Sequence, residues 1–249
     1  MMAFIRSVRG GLTPAERALL CTLILFDGAS VLYSIRLKNW IYALSSFMSL
    51  LLLLAPCVLE TACSVRISLD LKGLYYFLVI GGPVLGNVYK FYHYIRPWDK
   101  LLHFLSGFGI AAVGYALPDL FIKGEEKPNR WFKCLFSLCF SLAAGAVWEI
   151  YEYLLDVYLK MDMQNDTVIT EIASYMLGET PGSIGTISDI KSVHLNGEPF
   201  EKGYIDIGLI DTMKDLIKCA LGSGLFLITT LFVKPGSEYA SIRRVGAAA

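Results

Sequence analysis

The sequence predicts an all-α polytopic membrane protein: a bundle of about six transmembrane helices with a small β-containing extramembrane insertion between the last two spans. Three observations predict it. Of the 249 residues, 55% are hydrophobic and 18% charged, and the mean hydropathy is +0.54, too apolar for an ordinary soluble domain of this length. The apolar residues come in blocks of about 20, the length a helix needs to cross a bilayer core. Between the fifth and sixth blocks the composition turns polar and β-branched.

The spans fall at about 18–36, 40–59, 73–92, 100–119, 132–156 and 209–233, within one integral membrane domain over 1–249. Ahead of the first, Thr13-Pro14 with Glu16 has the form of an N-cap, a first-turn proline and a capping-box acid. The basic stretch before it does not read as a cleavable signal, because the apolar run that follows is long and lacks a small-x-small site. The first span carries Asp27 near its middle, which fits either a place in a polar cavity or a hydrogen-bonded structural role. The third is interrupted by Gly81-Gly82-Pro83, which predicts a kink. The fourth offers Gly107 and Gly109 for close helix packing. Residues 157–208 form the insertion, where Asn196-Gly197 predicts a tight hairpin turn. That stretch is acidic, with nine Asp or Glu against three Lys from Asp156 to Asp206.

An even number of spans puts both termini on one side. That side would hold twelve of the 22 basic residues: Arg6, Arg9 and Arg17 in the tail, Arg66 and Lys72, then Lys123, Lys127, Arg130 and Lys133, and finally Lys234, Arg243 and Arg244. The bias favours cytoplasmic termini in a plasma or inner membrane. The zero net charge and the absence of a basic arm exclude a nucleic-acid partner on compositional grounds, which leaves the lipid bilayer as the evident one. The six cysteines lie in or beside apolar runs without C-x-x-C spacing and read as small buried hydrophobes.

Three polar pairs carry the functional signal. The fourth span opens with Asp99 and His103 at i,i+4. The fifth ends with Glu149 and Glu152 at i,i+3, with Asp156 seven beyond Glu149. The sixth opens with Asp211 and Asp215 at i,i+4. Each spacing places its members on one helical face. Since the fourth span starts, the fifth ends and the sixth starts on the same side, the faces are expected to converge at the outer end of the last three helices. Charges facing lipid cost about 2.5–3.5 kcal/mol each even on lenient scales, so these groups should face inward. There like charges repel, and three reliefs are open. A divalent cation held by Asp99, His103, Glu149 and Glu152 is one, and oxygen ligands with one imidazole suit Zn, Mn, Fe or Mg. Protonation, as in a proton relay or small transporter, is the second. The third is neutralisation by Lys100, Lys214 or Lys218 in a structural or accessory protein. Among the remaining polar residues, His93, Arg96, Tyr92, Tyr94 and Trp98 read as an interfacial aromatic belt, and His194 as a surface histidine.

The stretches LGNVYKFYHYIRPWDKLLHFLSG, AVWEIYEYLLD, MDMQNDT and GYIDIGLIDTMKDLI resemble the YjdF-like bacterial inner-membrane proteins of unknown function, most closely their Clostridia-type branch, over about 75–233. That group is loosely similar to VanZ-like proteins, which are linked to glycopeptide resistance and the cell envelope. The resemblance implies Asp99, His103, Glu149, Glu152, Asp211 and Asp215 as signature positions, with Gln164 and Asp166 in the loop. Two positions depart from the pattern: Cys219 stands where an Asn is usual, and Asn87 where many members have Glu. The resemblance and the clustered acids together suggest a metal-assisted hydrolase or transferase acting on a lipid-linked or envelope substrate. All six signature residues would be catalytic, one carboxylate serving as base.

Overall fold

The computed structural model describes residues 12–122, 128–232 and 241–245. Arg6, Arg9, Lys123, Lys127, Lys234 and the C-terminal GAAA lie outside them. The chain is mostly helical, and six helices are long and apolar enough to cross a membrane: Pro14–Arg36, Trp40–Cys63, Leu69–Val88, Trp98–Phe121, Arg130–Leu159 and Leu209–Phe232. Their outer faces are apolar, as lipid contact requires, with Leu25, Leu32, Trp131 and Phe232 all exposed.

In chain order the helices are α1 (Pro14–Arg36), α2 (Trp40–Leu52), α3 (Ala55–Cys63), α4 (Leu69–Ile80), α5 (Phe91–Tyr94), α6 (Trp98–Phe121), α7 (Arg130–Leu159) and α8 (Leu209–Phe232). The chain forms two compact units, one of residues 1–145 with 217–249 and one of residues 146–216. Helices α7 and α8 each contribute to both.

In the first unit α1 opens with the expected capping box. The Glu16 backbone N–H donates to Thr13 Oγ1 (3.2 Å) and the Thr13 N–H to Glu16 Oε2 (2.7 Å). The other Glu16 oxygen accepts from Lys72 Nζ at 2.6 Å, and Lys72 also reaches Glu60 at 2.8 Å. Lys72 is 1% exposed, so two carboxylates hold one buried ammonium. Beside this triad, strand β1 (Val65–Ile67) pairs antiparallel with the C-terminal strand β8 (Ile242–Arg244). The start of the first span, the loop after the second and the C-terminal segment therefore meet at one end of this unit, as an even span count requires.

Prolines shape the second and third spans. Pro56 cannot return a hydrogen bond to the Leu52 carbonyl, which accepts from Tyr75 Oη instead (2.9 Å). Pro83 likewise cannot donate to the Val79 carbonyl, which accepts from Ser49 Oγ (3.0 Å). Around Pro83 the chain widens into π-helix over Gly81–Val88, where a kink was expected. The wider i→i+5 pattern accommodates the missing donor without breaking the span, as in the bond from the Tyr89 N–H to the Val84 carbonyl.

Small residues bring α6, α7 and α8 together within this unit. A side chain at Gly107 would strike the Cys219 backbone carbonyl, and one at Gly222 the Phe104 carbonyl. Gly109, by contrast, meets only the Leu74 side chain. Ser137 Oγ donates to the Ala111 carbonyl (2.6 Å), Ser141 Oγ to the Gly107 carbonyl (3.0 Å) and Ser223 Oγ to Ser141 Oγ (2.8 Å). Cys57 and Cys219 are buried as expected, but Cys21, Cys63 and Cys139 are exposed on helix surfaces. They belong to the apolar outer faces rather than to the core.

In the second unit, residues 167–206 hold three separate antiparallel pairs rather than a single hairpin. Strands β2 (Thr167–Ile169) and β7 (Tyr204–Asp206) pair with each other, as do β3 (Ile172–Ser174) with β4 (Gly185–Ile187) and β5 (Val193–Leu195) with β6 (Glu198–Phe200). The expected Asn196-Gly197 turn joins the last pair, both residues at positive φ (52° and 91°), the type I′ geometry. His194 is exposed on β5, as expected.

Two outcomes follow from the first unit's packing. Lys72→Met leaves Glu16 and Glu60 without their buried counter-charge and should cost roughly 3–5 kcal/mol, measured as a lowered thermal midpoint in detergent. Tyr75→Phe removes one hydrogen bond to a proline-freed carbonyl and should cost about 1 kcal/mol in the same assay.

Candidate functional site

Asp99 and His103 sit in the first turns of α6, whose start is pinned from outside the helix. Trp98 is 7% exposed and its indole N–H donates to the Gly81 carbonyl at the π-helical turn (3.0 Å). Trp98 thus belongs to the core and not to an interfacial belt, because a hydrogen-bond acceptor inside the protein draws the indole inward. Tyr94 remains exposed, and Tyr92 lies against Gly86, where any side chain would strike its ring. On α6, Asp99 Oδ1 lies 3.6 Å from His103 Nε2, and Lys100 Nζ lies 3.2 Å from Asp99 Oδ2. The His103 side chain is 11% exposed and that of Asp99 21%.

The second unit carries the other four signature acids. Glu149 (5% exposed) and Glu152 (6%) lie near the end of α7, and Asp211 (7%) and Asp215 (1%) in the first turns of α8. Their i,i+3 and i,i+4 spacings give each pair one face. Glu149 and Glu152 present carboxylate oxygens within 4.8 Å of each other. Trp148 Nε1 donates to Glu152 Oε1 at 2.7 Å and so orients that carboxylate.

The loop 162–167 is built onto these helices by hydrogen bonds. Asp156 accepts from the backbone N–H groups of Met163 (2.6 Å) and Gln164 (2.9 Å), so both its oxygens are engaged in holding the loop. It shares the helical face of Glu149 in sequence, yet its chemistry is structural. Asp211 Oδ2 accepts from the Asn165 backbone N–H (2.9 Å) and from Asn165 Nδ2 (3.2 Å). Gln164 Nε2 donates to Thr212 Oγ1 at 2.5 Å, and its side chain packs on Gly208. Asp206 Oδ2 accepts from the Ile210 N–H (2.7 Å), capping α8. Trp148, Asn165 and Thr212 give no signal in the sequence, since indole, amide and hydroxyl side chains occur in every loop and helix end.

Near the same loop, partial burial raises the Asp162 carboxyl above its ordinary value of 3.8, helped by the charges of Asp166, Asp156 and Asp211. An acid whose folded pKa is raised favours the fold most below 3.8, and that contribution is lost as pH rises through the higher value.

Buried Asp, Glu and His side chains of this kind could hold a metal ion. Of the three lysines near these acids, Lys214 is exposed and Lys100 pairs with Asp99. Residues 15–235 match the model of the family described as predicted membrane protein DUF2238. The chain belongs to this family. Members share a membrane-protein description without an assigned activity. No curated protein and no solved structure matches the chain.

Asp156→Ala removes two bonds from backbone N–H groups to a carboxylate. It should destabilise the loop by about 1.5–3 kcal/mol, read as faster amide exchange at Met163 and Gln164. Asp162→Asn removes an unfavourable charge. It should slow exchange of the same amides at pH 7, with the difference vanishing below pH 3.8.

Proposed function

We propose that this DUF2238 member is a membrane protein that binds a divalent cation on its envelope side through carboxylate and imidazole ligands drawn from Asp99, His103, Glu149, Glu152, Asp211 and Asp215. The observation that carries this reading is the burial of four carboxylates in one 71-residue unit, none more than 7% exposed. Four carboxylates buried in so short a stretch repel one another, and a divalent cation is the relief that oxygen ligands suit best. Asp99, His103, Glu149 and Glu152 are the proposed ligands, and Asp211, already fixed by Asn165, would orient the loop around them. Carboxylate and imidazole donors fit Zn, Mn, Fe or Mg better than a soft metal. A bound cation would supply Lewis-acid activation of a water, and hydrolysis or transfer on a polar, lipid-linked substrate is the matching reaction class. The chain would then lie in the plasma or inner membrane with both termini cytoplasmic and 157–208 outside, as the basic-residue bias suggests.

The test is metal content by mass spectrometry of detergent-purified protein. Wild type should carry close to one equivalent of a transition metal or magnesium, and Glu149→Ala and His103→Ala should each lose it while remaining folded. Metal-free wild type, or metal retained in both variants, would exclude the site.

A further inference from the structure

The first three spans contain a second polar constellation, remote in sequence from the acids at the ends of α6, α7 and α8. Asp27 lies mid-way along α1 and is 0% exposed, and neither of its oxygens has a hydrogen-bond partner among the described residues. Such a carboxylate in the apolar length of a span is costly, and the cost must be met by something that binds it.

Among the described residues, hydroxyl oxygen and no positive charge acts on its carboxyl. Helices α1 and α2 pack against each other across the tight connection at Leu37–Asn39, and both also pack on the π-helical turn. Counted from Lys38, Asp27 and Ser49 are equally distant, as are Ser30 and Ser46, so the antiparallel pair places the members of each couple at similar depth. All four are at most 1% exposed. The Ser49 hydroxyl lies beside the Asp27 carboxyl and donates to the Val79 carbonyl at 3.0 Å. The proton of Ser30 goes to the Phe26 carbonyl at 2.9 Å. The Ser46 hydroxyl has no partner among the described residues, although an acceptor-rich carboxylate lies on the facing helix.

Oxygens that share a cation do not hydrogen-bond each other. At cation–oxygen distances of about 2.4 Å, neighbouring ligands stand roughly 3.4 Å apart or more, at the limit of hydrogen bonding. One carboxylate with neutral hydroxyls balances a single positive charge, which favours a monovalent ion over a divalent one. The buried small residues Ala43, Ser46 and Ser49 line the α1–α2 contact and favour a small ion. Phe26 and Tyr33 stack on Tyr89 at ring distances of 5.6 and 6.3 Å, and the Tyr89 hydroxyl meets Ser30 Oγ at 3.3 Å, closing the end of the constellation. The hydrophobic cluster of Leu20, Leu53, Cys57, Tyr76, Ile80 and Val84 seals the other.

We propose that Asp27, Ser30, Ser46 and Ser49 form an intramembrane sodium-binding site between the first two spans and the π-helical turn of the third.

Thermal unfolding of the full-length protein in detergent, at constant ionic strength in sodium, potassium or choline chloride, tests it. Sodium should raise the midpoint saturably, with potassium and choline much less effective. Asp27→Asn should abolish the sodium-dependent shift, and Ser46→Ala should raise the half-saturating sodium concentration about tenfold, the effect of one lost ligand of roughly 1.4 kcal/mol. An equal midpoint in all three salts overturns the proposal. So does a sodium shift that survives Asp27→Asn. If Asp27→Asn fails to fold, Ser46→Ala decides: an unchanged half-saturating concentration overturns the site, and a raised one supports it.

Discussion

Inside the apolar length of a span, a backbone or side-chain polar group can find a partner only within the protein. In the first unit this constraint dictates which residues meet. Pro56 and Pro83 each free a carbonyl four residues back, and Tyr75 and Ser49 come from other segments to donate to them. The Trp98 indole does the same for the Gly81 carbonyl and so fixes where α6 begins. The hydroxyls of Ser137, Ser141 and Ser223 bond to backbone or to one another across helices that Gly107 and Gly222 allow to touch. Prolines, serines and glycines thus act together: the first open the hydrogen-bond ladder, the second close it from outside, and the third give them the reach.

The same constraint makes the charged groups informative. Lys72 is almost fully buried, yet two glutamates hold its ammonium, and the result is a clamp between the first, second and third spans. Asp156 also has its charge engaged, on the amides of a loop. Beyond these, Asp27 on α1 is fully buried with neither oxygen hydrogen-bonded among the described residues, and the acids of α7 and α8 are buried close together. Each motivates a proposed cation, of different charge.

The 162–167 loop links secondary structure to chemistry in the second unit. Asp156, Asp211 and Thr212 hold it through Met163, Gln164 and Asn165, so the end of α7 and the start of α8 are fixed relative to one short segment. A loop tied down at three consecutive residues gives neighbouring carboxylates a defined geometry at low entropic cost. Trp148 adds to this by fixing Glu152 with its indole N–H.

The sequence by itself determined the six membrane-length helices, the capping box at Thr13, the Asn196-Gly197 turn and the helical faces of Asp99 with His103, Glu149 with Glu152, and Asp211 with Asp215. All of these follow from spacing along the chain, where helical period, span length and turn chemistry are local rules. Tertiary structure alone decided what each polar group does. Trp98 looks interfacial until the Gly81 carbonyl draws it inward, and Asp156 looks like part of an acidic wall until the amides of residues 163 and 164 claim it. Gly81-Gly82-Pro83 reads as a break until Ser49 and the π-helical pattern absorb it. In each case the deciding partner lies at least seven residues away, and a hydrogen bond depends on distance and direction in space, which no periodicity along the chain encodes.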